Sequence, residues 1–106
     1  MSRKITLPKA ASYVPAGDYQ LKFGKYPNGS TAMVLHDEHG ARVVTPTVAL
    51  DQLPPDGYVL IKDWSENDGM FDALLAAGVI GPIYDIIPTG FVQAYVCELL
   101  LEVDDV

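Results

Sequence analysis

Turn-forming residues cut this chain into short pieces, and only one piece has the length and patterning of a helix. Nine glycines and eight prolines are spread over 106 residues. Between them the apolar residues mostly alternate. "DYQLKF" places Tyr19, Leu21 and Phe23 on one side and Gln20 and Lys22 on the other, which predicts a half-buried strand. "YPNG" is a turn, because Pro27 fixes φ and Asn28-Gly29 tolerate positive φ. "TAMVL" reads as the next strand and "HDEHG" as the connection after it. "ARVVTPTVAL" is β-branched, but Pro46 lacks an amide donor and belongs on an edge or at a bulge. "DQLPPDG" is a loop and "YVLIKD" a strand. "GPIYDIIPTG", bracketed by Pro82 and Pro88, reads as a loop or a short edge strand.

"FVQAYVCELLLEV" reads as the longest strand, with Phe91, Tyr95, Cys97, Leu99 and Leu101 toward the core and Gln93 as the exception. Its other face carries Val92, Ala94 and Val96, so the strand is expected to be central or covered on both sides. The first 17 residues mix Lys, Pro, Ala and Gly and predict an N-terminal arm with one short strand at "ITL", followed by a single domain over residues 18–106.

The one helical piece lies in "KDWSENDGMFDALLAAGV", residues 62–79. Ser65 followed by Asp68 approximates a capping box, and Glu66 and Asp68 suit the positive end of a helix dipole. Met70, Phe71, Leu74 and Leu75 make an apolar stripe, and Gly78 is placed to end the helix. The spacing predicts a helix over about 66–77. Five or six strands with one helix do not alternate as βαβ units. The fold class predicted is α+β: a mainly antiparallel, twisted sheet of five to six strands with the helix packed on one face.

Asp63, Ser65 and Asn67 alternate as the first ligands of an EF-hand loop do, but the required glycine falls one place late and Leu74 stands where a bidentate glutamate is needed. No metal is expected there. "HDEHG" offers His36 and His39, with no third histidine and no second cysteine to complete a zinc set. Ser2, Ser12, Ser30 and Ser65 lack a nucleophile-elbow context, and phosphate-cradling glycine motifs are absent. No cofactor and no enzymatic activity are expected.

Cys97, the single cysteine, sits in an apolar run and excludes an internal disulfide. There is no secretory h-region at the N-terminus, and no window reaches the roughly 18 apolar residues of a membrane span. A cytoplasmic protein with no membrane contact is expected. The net charge of −7 is unevenly placed: residues 1–30 carry five bases and one acid, and residues 31–106 two bases and thirteen acids. An acidic body repels nucleic acid and attracts basic protein surfaces, so direct nucleic-acid binding is not expected. Hydrophobic residues reach 49%, which suggests burial against a partner or a second copy in a homodimer. Capping leaves Trp64, Asp63, Glu66 and Asp72 unaccounted for. With Asp68 they form the candidate partner-binding segment, with tryptophan as the anchor.

At "KYPNGSTAMVL", "IKDWSENDGM" and "PTGFVQAYVCEL" the chain resembles a family of short uncharacterised proteins encoded by bacterial phages, plasmids and conjugative elements. The segment Lys62 through Asn67 is the most specific part. The resemblance implies a mobile-element context and no catalytic residues. By analogy of context it implies an inhibitor of a host defence complex, of the anti-CRISPR or anti-restriction kind. The expected partner is then a host protein with a basic surface, such as a nuclease or CRISPR effector. A structural or regulatory interaction module is the alternative, and a small-molecule binding protein or hydrolase the third reading.

Overall fold

A computed structural model describes residues 2–101. The fold is α+β with antiparallel pairing throughout, but its strands form two sheets rather than one. β1 (Ser2–Leu7), β2 (Gly17–Lys25), β3 (Thr31–His36) and β4 (Arg42–Val44) follow one another in a four-stranded sheet of order β1-β2-β3-β4. β5 (Tyr58–Ile61), β6 (Ile80–Thr89) and β7 (Val92–Leu99) form a three-stranded sheet of order β5-β7-β6. The only α-helix among the described residues, α1, is Met70–Ala76.

Pro46 explains part of the division. The β3–β4 ladder stops at Val44, and the chain then runs beside β5. Lys62 N–H donates to the Pro46 carbonyl at 2.9 Å, and Val48 N–H to the Leu60 carbonyl at 3.1 Å. The amide of Met33, on β3, finds no backbone acceptor there. Thr47, buried at 3% exposure, supplies its Oγ1 instead at 3.0 Å. A buried amide left unpaired would cost about 1–3 kcal/mol, so this hydroxyl joins the two sheets at their seam. At the opposite end α1 lies against β1 and β6. The two sheets and the helix thus enclose one core, in which Leu7, Leu21, Met33, Ile61, Leu74 and Cys97 are all buried.

The expected alternation of β2 is present: Tyr19 and Leu21 are buried, and Lys22 is exposed. β7 is central and covered on both faces, with Cys97 in the main core and Val96 in a smaller cluster with Leu60 and Ile87. Four expectations need correction. The first 17 residues do not stand apart as an arm: β1 runs the length Ser2–Leu7, and Ile5, Leu7, Ala11 and Val14 belong to the core. "GPIYDIIPTG" is neither loop nor short strand but the ten-residue edge strand β6, bulged between Ile80 and Asp85. Phe91 does not face the core. Gly90 and Phe91 form a two-residue hairpin loop, and the positive φ of Gly90 (80°) at its first position suits a type II′ turn. The helix is shorter than 66–77, because residues Ser65–Asn67 form a 3-10 turn and left-handed Gly69 caps α1 at Met70. The residues expected to extend the last strand beyond Leu101 lie outside the described ones. No helix of the described residues is long and apolar enough to cross a membrane.

Candidate functional site

The segment Lys62–Met70 is an irregular entry into α1. Trp64 is extended (φ −140°), Ser65 is left-handed (φ 58°), and residues Ser65–Asn67 make one 3-10 turn. Gly69, with φ 86°, then starts α1. The capping box expected at Ser65 and Asp68 is absent. Asp63 does the capping instead: its Oδ1 accepts from the Phe71 amide at 2.8 Å. Asp68 turns away and takes the hydroxyl of Ser12 at 2.6 Å. The helix ends as Gly78 predicts. Gly78 N–H reaches the Leu75 carbonyl and Val79 N–H the Leu74 carbonyl, the paired bonds of a Schellman motif, with Gly78 at φ 74°.

Each of the four candidate carboxylates is therefore committed inside the molecule. Asp63 caps α1. Its pKa is raised, first by burial and then by the charges of Asp68 and Asp72, against the lowering effect of the amides of Phe71 and Gly69. Glu66 pairs with Lys62 at 2.6 Å, and its pKa falls to about 2, chiefly through that hydrogen bond. Asp68 holds Ser12, and Asp72 lies 3.8 Å from Lys9 in an exposed pair of little energetic weight.

Trp64 is half-buried, and Lys62 Nζ sits 5.8 Å from its ring centroid while bonding Glu66. This cation–π contact holds the indole in place. Beside it opens a groove of about 290 Å³ lined by Asp63, Trp64, Pro88, Phe91 and Tyr95. Tyr95 is braced edge-on by Phe71, ring centroids 5.5 Å apart. Phe91 is held out in solvent at 109% relative exposure. Sequence reasoning placed Trp64 and Asp63 in this segment but missed Phe91. The available signal was a glycine followed by one residue between two apolar runs, since a type II′ hairpin turn takes glycine at its first central position.

The other candidates resolve into structural roles. In "HDEHG", Asp37 Oδ1 accepts from the amides of His39 and Ala41, both at 2.9 Å, and so shapes the turn. Among the described residues no three His, Cys, Asp or Glu side chains converge. The Cys97 thiol is buried, and burial pushes its pKa up to about 11, away from nucleophilic use. A second, more polar cavity of about 360 Å³ lies between the β2–β3 turn and the loop before β5, with Lys25, Ser30 and Asp56 on its wall. Comparison with protein-family models, curated proteins and solved structures finds no match to the chain.

Proposed function

We propose that this is a non-enzymatic protein that acts by binding another protein, with the groove between Trp64 and the β6–β7 turn as its contact surface. The observation that supports this is the exposure of Phe91 beside the half-buried Trp64. A phenyl ring held in water by a tight turn adds nothing to the core. Aromatic side chains, phenylalanine among them, are enriched in the cores of protein–protein interfaces. Asp63 lines the same groove, and the neighbouring charges of Asp68 and Asp72 act on its carboxylate. With a net charge of −7, the complementary partner is a basic protein surface. The sharpest form of this reading is a phage or mobile-element protein that inhibits a host nuclease or CRISPR complex by occupying the surface that holds nucleic acid.

The test is a pull-down from bacterial lysate with the wild type and Phe91→Asp side by side, followed by mass spectrometry. Phe91 is outside the core, so the variant should melt with the wild type. A partner with a basic surface, retained by the wild type and lost by the variant, supports the proposal. Equal retention by both removes the groove from the mechanism.

A further inference from the structure

The charge of this acidic protein is not evenly mixed over its surface. Strand register collects cations on the outer face of the four-stranded sheet. Lys4 is opposite Gln20, Gln20 opposite His36, and His36 opposite Arg42, so these four residues form one row across all four strands. Lys22 lies on the same face, two residues along β2 from Gln20. Lys4, Lys22 and Arg42 are exposed, and none forms an ion pair with a described residue. Arg42 spends one donor on the Thr45 hydroxyl and keeps the rest of its fork. Carboxylates border the face at both ends: Thr6 donates to Asp18 at 2.6 Å, and Asp37 and Glu38 lie in the turn that joins His36 to Arg42. The contrast with the segment around α1 is direct: there every candidate carboxylate has a hydrogen-bond or ionic partner, and here the three cations have no ionic partner among the described residues.

We propose that this sheet face is a second docking surface, and that it takes an extended, carboxylate-rich segment of a partner protein. Three strand spacings of about 4.8 Å put Lys4 and Arg42 roughly 14 Å apart, the length of about four extended residues. Gln20, in the row between them, offers hydrogen bonds to the segment's backbone. A nucleic-acid strand is the less suited polyanion. The aromatic rings of β2 on this sheet, Tyr19 and Phe23, pack toward the core, so no ring of that strand is offered for base stacking. The net charge of −7 also opposes a dense phosphate chain more than a short acidic peptide.

The experiment is fluorescence anisotropy with a labelled oligoglutamate peptide at low salt, with labelled oligothymidylate as the comparison. The wild type should bind oligoglutamate. Lys4→Gln/Lys22→Gln/Arg42→Gln should weaken that binding by about tenfold or more, as loss of complementary charge does. Salt at about 1 M, where the Debye length is near 3 Å, should suppress it. Lys22→Gln alone should give a smaller loss and serves if the triple variant does not fold. Phe91→Asp should bind oligoglutamate as the wild type does, which separates this surface from the Trp64 groove. Absence of wild-type binding, unchanged affinity in the variants at matched melting temperature, or tighter binding of oligothymidylate would each overturn the proposal.

Discussion

Ser12 donates two hydrogen bonds to Asp68, 56 residues further along the chain: its amide reaches the Asp68 carbonyl at 2.8 Å, and its hydroxyl the carboxylate at 2.6 Å. This pair clamps the N-terminal segment onto the residues that launch α1. It also explains Gly69. A Cβ at that position would meet Ala11 Cα at 3.2 Å and Ser12 N at 3.4 Å, and φ is +86°.

Gly69→Ala should therefore be more damaging than an alanine at another left-handed glycine. Gly40 has φ +82° with nothing within 4 Å of its Cβ position. Gly40→Ala should cost about 1–2 kcal/mol, the penalty of the backbone conformation alone. Gly69→Ala adds a backbone clash, which raises the expected loss by roughly another 1–3 kcal/mol. Urea unfolding of the two variants measures the difference, and equal losses would mean that the clamp yields freely.

The cap of α1 belongs to Asp63, so Asp63→Ala should destabilise by about 1 kcal/mol, the usual size of a lost N-terminal cap. Ser65→Ala, an exposed change that removes no cap, should stay within about 0.5 kcal/mol. Chemical denaturation would count against this assignment if the order of the two effects were reversed.

Two carboxylates near the start of α1 should have pKa values shifted in opposite directions. Asp63, raised by burial, should take up its proton above the ordinary 3.8, so its ionisation weakens the fold as pH climbs through that raised value. Glu66, held by Lys62, should stay ionised to about 2. Its contribution is present above the unfolded value near 4.5 and is lost as pH falls toward 2. Carboxyl carbon shifts followed by NMR against pH separate the two. A midpoint for Asp63 below that of Glu66 would contradict this account.

The edge strand β6 is guarded against pairing with other chains. Counting the antiparallel alternation back from the Thr89–Val92 pair, the backbone nitrogens of Pro88 and Ile86 face outward. Pro88 has no hydrogen to offer, and the Ile86 amide is taken by the Asp85 carboxylate at 2.8 Å. Asp85→Ala with Pro88→Thr should expose both donors beside the exposed Ile83, Tyr84 and Ile86, and so promote aggregation. Light scattering during incubation is the measure, and a double variant as clear as the wild type would show that the edge is protected by something else.

What could be read from the sequence was what neighbouring residues decide among themselves. The period-two pattern of Tyr19, Leu21 and Phe23, the turns at "YPNG" and "HDEHG", the Schellman end at Gly78 and the apolar pattern on both faces of β7 depend on contacts or propensities within a few positions. Tertiary structure decided the remainder. Ser65 has the right chemistry for a cap, but Gly69 can start the helix only in the left-handed conformation that lets Ala11 and Ser12 approach, and that leaves Asp63 in reach of Phe71. The break into two sheets needed Thr47 to meet Met33. Phe91 lost its place in the core because Gly90 folded the chain back one residue earlier. In each case the deciding partner is long-range or the outcome turns on strand register, and the short patterns that mark single strands do not encode how those strands meet.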